Sequence, residues 1–309
     1  MQVLRTRATR AFARRQAAGN RTVDNGLAYS AAMNSVELAS GRTAYELTGP
    51  TGGELVVLLH GGTVPMWTWD LQLPALVRAG YRVLRYDMLG KGESASPDAR
   101  YDRALFMRQL AELLAALGWA QPLHMVGFSF GGATAVNFAL QHADRIQSLA
   151  LIAPMLHFAR GNRIVQGARL PLVGSAFVRH VLLKKAADRA RHLWRSAPYP
   201  ALCRARFDAQ LAQPGFGRAF VSYLRSDALD DHTAAYRQLG QGRLRPLLLW
   251  GSRDGDIPAA HVQTMRQLLP HAQYQELPGV RHGAPFEAAD RVNTLLLQHL
   301  QAHAHAQPA

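Results

Sequence analysis

PLHMVGFSFGGATAVNFALQ, residues 122–141, changes character on either side of one serine. Pro122–Val126 is a short apolar run, the signature of a buried strand, and Gly131–Gln141 reads as a helix. Between them, Gly127-Phe128-Ser129-Phe130-Gly131 has the pattern G-x-S-x-G. A serine squeezed between a strand and a helix sits in a strained turn, so its neighbours two residues away must be small. Gly127 and Gly131 meet that need, and Gly132 lets the helix pack close. The helix N-terminus then points at the serine, which favours negative charge developing there. A chance pentapeptide in a glycine-rich turn would lack the strand before and the helix after. The uncharged stretch Leu113–Ala143 does not read as a membrane span, because Gln121-Pro122, His124 and three glycines at its centre interrupt it.

Working outward, the same alternation continues in both directions. Toward the N-terminus, Val36–Ala39 and Thr43–Leu47 read as a hairpin around Gly41-Arg42, and Leu55–Leu59 as a buried strand. Leu71–Arg78 is a short helix, Tyr81–Tyr86 a strand, and Tyr101–Leu117 an amphipathic helix stopped by Gly118. Toward the C-terminus, Ile146–Ile152 is a strand. After a long gap come the strand Pro246–Trp250, helix Ala259–Leu268, strand Tyr274–Leu277 and helix Glu287–Ala302. Strands alternating with helices predict an α/β fold: a mostly parallel sheet with helices on both faces. Sites in such sheets lie at the carboxyl ends of strands.

The gap, residues 155–245, shows helical periodicity and little strand signal, with the best amphipathic helix in Gly174–Arg195. It reads as a helical cap inserted into a core formed by residues 24–154 and 246–309. Charge follows the same division. The chain carries +14 overall; residues 1–23 hold six arginines and no acid, and residues 157–245 hold sixteen basic residues against five acids. The remaining body is near neutral, at −3. A nucleic-acid-binding face would not segregate in this way, so no nucleic-acid partner is expected. The basic cap suits a solvated lid better than a membrane contact, although a surface of this sign would meet anionic lipid. Residues 1–23 read as a basic tail. They resemble a mitochondrial transit peptide in composition, as does any basic bacterial N-terminus, and lack the apolar core of a secretory signal. The expectation is a cytoplasmic protein. One cysteine, Cys203, excludes an internal disulfide framework and reads as a buried, inert thiol.

A nucleophilic serine needs a base, and the base an orienting acid. Gly251-Ser252-Arg253-Asp254 follows the strand Pro246–Trp250, and His282 follows Tyr274–Leu277 across a short loop, so both lie at strand ends. His261 and His271 flank a helix, and His299, His303 and His305 lie in or beyond the last one. Asp256 competes with Asp254 for the acid; the residue nearer the strand end is better placed. Two backbone N–H groups must hold the oxyanion. One is expected from Phe130, the other from Gly62 or Thr63 in His60-Gly61-Gly62-Thr63, with His60 bracing that loop. Met66, Trp67 and Trp69 either line the acyl side of the pocket or wedge the loop, and Met155, just past a strand end, is a further lining candidate. At least one of Phe128 and Phe130 should pack into the core.

Over residues 36–302 the chain resembles the α/β-hydrolase fold superfamily. The resemblance rests on His60-Gly61-Gly62, on Asp87–Ser94 (DMLGKGES), on the Ser129 turn, on Gly251–Pro258 (GSRDGDIP) and on Gly279-Val280-Arg281-His282. The Gly-x-x-Asp-x-x-x-Pro pattern common in the family again selects Asp254. The resemblance implies a serine hydrolase of carboxylic esters, with a Ser129–His282–Asp254 triad, a small-molecule ester as substrate, and no metal or organic cofactor. Members with an aspartate nucleophile are excluded by Ser129. Carbon–carbon bond hydrolases and acyltransferases with the same triad are the second reading, since the former usually carry a longer glycine-rich oxyanion loop than the one that runs into Thr63-Val64-Pro65 here.

Overall fold

Leu55–Leu59 (β3) is buried at every position, as a strand covered on both faces requires. Around it the chain lays down β1 (Asn34–Val36), β2 (Thr43–Thr48), β4 (Arg82–Tyr86), β5 (Leu123–Phe128), β6 (Ile146–Ile152), β7 (Leu247–Gly251) and β8 (Gln273–Leu277). The structure is a computed structural model. It describes residues 33–159, 162–170 and 193–304, together with the two-residue strands Thr22–Val23 and Leu27–Ala28. The basic tail and most of the amphipathic helix expected in Gly174–Arg195 lie outside the described residues.

The sheet has the order β8-β7-β6-β5-β3-β4-β2-β1. From β3 to β8 the neighbours are parallel; β2 is antiparallel to β4, and β1 to β2. The chain leaves β3 for β4 on one side and returns to β5 on the other. The order therefore reverses between β3 and β5, where open α/β sheets carry their ligands. Helices α1 (Leu73–Arg78) and α10 (Ala289–His303) pack together and against the sheet, while α2 (Arg103–Ala116) packs on α3 (Phe130–Gln141), which lies on β5 and β6. Asp102 sets the start of α2, its side chain accepting the Leu105 N–H at 2.9 Å.

Between β6 and β7 lie α4 (Arg163–Ala168), α5 (Pro200–Leu211), α6 (Phe216–Arg225) and α7 (Thr233–Gln241), with α8 (Ala259–Leu268) following β7. Read from sequence, α7 falls inside the inserted segment 155–245. In the structure it packs on α3 and α8, so it joins the helices that flank the sheet. The helix read as Glu287–Ala302 is also two elements, α9 (Ala284–Glu287) and α10, broken at Ala288. β5 runs two residues past Val126 and so delivers Ser129 directly at its end.

Candidate active site

Ser129 follows β5 and caps α3 with φ 53° and ψ −116°, a conformation that L-residues rarely adopt. Backbone bonds on both sides hold it there: Ser129 N–H donates to Ile152 O, and Met155 N–H donates to Ser129 O, each at 3.0 Å. The flanking glycines are needed for space. A β-carbon on Gly127 would stand 2.5 Å from Gly131 O, and one on Gly131 would overlap the Leu59 and His60 carbonyls.

β7 and β8 are paired strands, and their outgoing loops are tied by Arg253 N–H to Val280 O at 2.9 Å and by Gly279 N–H to Ser252 Oγ at 2.8 Å. This brings Asp254 and His282, 28 residues apart, into contact. His282 Nδ1 lies 2.8 Å from Asp254 Oδ2, and Nε2 lies 3.0 Å from Ser129 Oγ. With a carboxylate at Nδ1, that nitrogen carries the proton and Nε2 is left as the acceptor facing serine. The other oxygen, Asp254 Oδ1, accepts the backbone N–H groups of Asp256 and Ile257 at 2.8 and 2.9 Å. Both lone-pair faces of this buried carboxylate are thus used. Asp256 stands elsewhere, its carboxylate 3.9 Å from His282 Nε2. The structure therefore seats Asp254, rather than Asp256, on the orienting nitrogen.

The loop after β3 runs along Ser129. A β-carbon on Gly61 would lie 3.6 Å from Ser129 Cβ, and one on Gly62 would lie 3.7 Å from Phe130 Cβ. Phe130 is the first residue of α3, where N–H groups have no partner within the helix. Gly62 and Phe130 are thus adjacent beside the serine. His60 is buried, its Nδ1 against Gly61 O at 2.7 Å and its Nε2 accepting Met88 N–H at 2.9 Å, so it ties the β3 loop to the β4 loop. Burial, with a smaller push from Lys91, lowers its pKa to about 3, which keeps it neutral. Asp87, which sequence reasoning left without a role, braces the same two loops by accepting Met66 and Glu93 N–H at 2.8 Å each.

Ser129 and His282 open into a cavity of about 160 Å³. Gly62, Thr63, Phe130 and Met155 contribute to its wall, as do Phe220, Tyr223, Leu224 and Leu229 from the segment between β6 and β7. Phe128 and Phe130 both line it and both pack into the core. Trp67, expected among the lining candidates, does not line it. It lies in a short 3-10 turn and packs on Trp194 and Phe286, ring centroids 5.4 and 6.0 Å away, wedging the loop instead. The sequence fixes this loop's position but not the direction of its side chains. Cys203 is buried in the same cluster, and burial pushes its thiol up to about 12. Tyr223, which the sequence offers only as one of several large apolar surfaces of the inserted segment, lines the cavity, and Lys91, quoted only as part of the Asp87–Ser94 loop, lies against the Tyr223 and Phe130 rings.

Among the described residues no group of three or more His, Cys, Asp or Glu side chains is placed to hold a metal, and no helix is long and apolar enough to cross a membrane. Residues 54–289 match the family model for the alpha/beta hydrolase fold. A 2-hydroxy-6-oxononadienedioate/2-hydroxy-6-oxononatrienedioate hydrolase of Comamonas testosteroni is 27% identical over 258 residues, spanning 80% of this chain and 88% of the relative. Lipase 1 of Psychrobacter immobilis is 27% identical over 271 residues, spanning 84% of this chain and 80% of the lipase. Among solved structures, the enol-lactonase from Burkholderia xenovorans LB400 has the same fold, with a TM-score of 0.73 and 21% identity over 87% of this chain and 100% of that one. With a match that covers most of the chain, from before β3 to the start of α10, the protein is a hydrolase and belongs to the alpha/beta hydrolase fold family.

Proposed function

We propose that this hydrolase cleaves carboxylic esters through an acyl-enzyme on Ser129. The observation that carries the reading is the unbroken hydrogen-bonded series Ser129 Oγ–His282–Asp254, opening into a mainly apolar cavity. Ser129 Oγ attacks the ester carbonyl while His282 Nε2 takes its proton. The carbonyl oxygen becomes an oxyanion held by the Phe130 and Gly62 N–H groups. His282 returns the proton to the departing alcohol, leaving the acyl group on Ser129. Water, deprotonated by His282, then adds to the acyl carbon and releases the acid. Asp254 holds the imidazole by Nδ1 and stabilises the imidazolium.

Cavity size suggests the acyl partner. About 160 Å³ is close to the volume of an engineered protein cavity that holds one benzene ring, about 150 Å³. A short-chain or single-ring acyl group fits within that volume. Nitrophenyl esters from acetate to palmitate, with benzoate, test this: kcat/KM should peak at butyrate to hexanoate or at benzoate. A flat or rising series to palmitate would remove the size argument.

A second reading has a specific support, the dienedioate hydrolase from Comamonas testosteroni. Against it, the described lining residues include no arginine or lysine to meet a dioate, and they include Asp256. Product analysis with a conjugated oxo-dienoate separates the two readings.

A further inference from the structure

Tyr223 joins the wall of the Ser129 cavity from α6, in the inserted segment, and is only 4% exposed. Its hydroxyl occupies the space beside Gly62 so closely that a β-carbon on Gly62 would stand 2.7 Å from Oη. Its ring meets Phe130 edge-on, centroids 5.0 Å apart. Gly62 and Phe130, the two residues expected to bind the oxyanion, thus converge on one phenol. The Tyr223 side chain lines the cavity that holds Ser129 and His282. A tyrosine hydroxyl on a cavity wall can donate to an acceptor placed in that cavity. Burial raises the phenol's pKa, so it keeps its proton and is available as a neutral donor.

Beneath the ring lies Lys91, also 4% exposed, with Nζ 4.4 Å from the Tyr223 centroid, 4.9 Å from Phe106 and 5.9 Å from Phe130. No carboxylate pairs with it among the described residues. In its protonated form, which burial makes less available by lowering its pKa to about 7, Lys91 draws electron density from the ring and makes the O–H a stronger donor. It also places positive charge behind the wall where negative charge develops, in a setting of low dielectric.

We propose that Tyr223 is a third oxyanion donor, its hydroxyl completing the pair of backbone N–H groups, and that Lys91 is a positioning residue acting through the Tyr223 ring. The proposal rests on the ester-hydrolase reading. No proton is transferred: the O–H bond stays intact, and its hydrogen bond to the carbonyl oxygen shortens as the oxyanion forms.

The experiment uses the full chain, Tyr223→Phe and Lys91→Met singly and together, a short-chain nitrophenyl ester and a fluorophosphonate that labels Ser129. Tyr223→Phe keeps the ring packing and loses only the donor. It should lower kcat by roughly 10- to 100-fold, slow phosphonylation in parallel, and leave KM within about twofold and the melting temperature nearly unchanged. Lys91→Met should lower kcat several-fold in the parent and have little effect in the Tyr223→Phe background, because its influence passes through the hydroxyl. A Tyr223→Phe enzyme with parental kcat would overturn the donor role, and equal Lys91→Met losses in both backgrounds would overturn the coupling. Failure of the parent enzyme to be labelled or to hydrolyse any ester is a different result, one that sinks the ester reading and this proposal together.

Discussion

At Ser129 the backbone conformation, φ 53° and ψ −116°, is open to glycine at no cost and to other residues at roughly 1–3 kcal/mol. The proposed nucleophile is therefore held exposed at the expense of stability. Ser129→Ala and Ser129→Gly should both be inactive, but Ser129→Gly should resist denaturant better than Ser129→Ala by about 1 kcal/mol or more. Equal stability of the two would mean that the turn is unstrained. Two loops away, the two aspartates make a sharper test of role. Asp254 spends one oxygen on His282 and the other on two backbone N–H groups, whereas Asp256 faces the opposite ring nitrogen at 3.9 Å. Asp254→Asn should lower kcat by about 10³- to 10⁴-fold, because the amide stabilises the wrong tautomer. Asp256→Asn should cost less than about 10-fold. Were the ranking reversed in steady-state kinetics, Asp256 would be the acid.

Strand β5, the turn and α3 work as one element, because the helix must start within van der Waals reach of β3. Gly131 makes that approach possible: any β-carbon there meets the Leu59 and His60 carbonyls. Gly131→Ala should force α3 away from β3 at a cost of about 1–3 kcal/mol and pull Phe130 from its place beside Gly62. Reduced denaturant midpoint together with lost ester turnover is the expected pair of results; unchanged stability would show that the helix has slack. This element was legible in the sequence because its constraints are local. Apolar runs name the buried parallel strands, glycines name the tight turn, and strand ends name Ser129, Asp254 and His282 as neighbours. What was not legible depends on contacts between distant segments. Helix α7 has the same periodicity as its cap neighbours, and only its packing on α3 and α8 assigns it to the sheet layer. Trp67 follows the expected oxyanion loop but turns toward Trp194, a partner 127 residues later. Tyr223 joins the site only because α6 folds back over Gly62.

Over the whole molecule, buried ionisable groups make stability depend on pH, and the sign can be worked out group by group. His60, His232 and His299 are buried, and burial is the largest cause in lowering their pKa values from 6.5 to about 3, 4 and 4. Between pH 6.5 and 4 the unfolded chain therefore binds protons at these three rings that the folded chain refuses, so stability falls as pH falls. Asp87 acts the other way: burial raises its pKa to about 7, and between pH 4 and 7 the folded chain holds a proton that the unfolded chain has lost. Lys91, lowered to about 7 by burial, is protonated in both states across most of this window and adds little slope. These three histidines outweigh the one aspartate by up to two protons, or about 3 kcal/mol per pH unit, and His124 and His261, whose pKa values burial also lowers, act in the same direction. For a protein whose total stability is on the order of 5–15 kcal/mol, that is a sizeable fraction of the whole by pH 4.5. Denaturant titrations at pH 6.5, 5.5 and 4.5 should give steadily smaller unfolding free energies. His299 lies in α10, remote from Ser129 in the chain, and tests the cause. His299→Leu removes one of these proton sinks and should reduce the slope by about 1.4 kcal/mol per pH unit while leaving ester turnover at neutral pH intact. An unchanged slope in that variant would show that acid sensitivity arises from other groups.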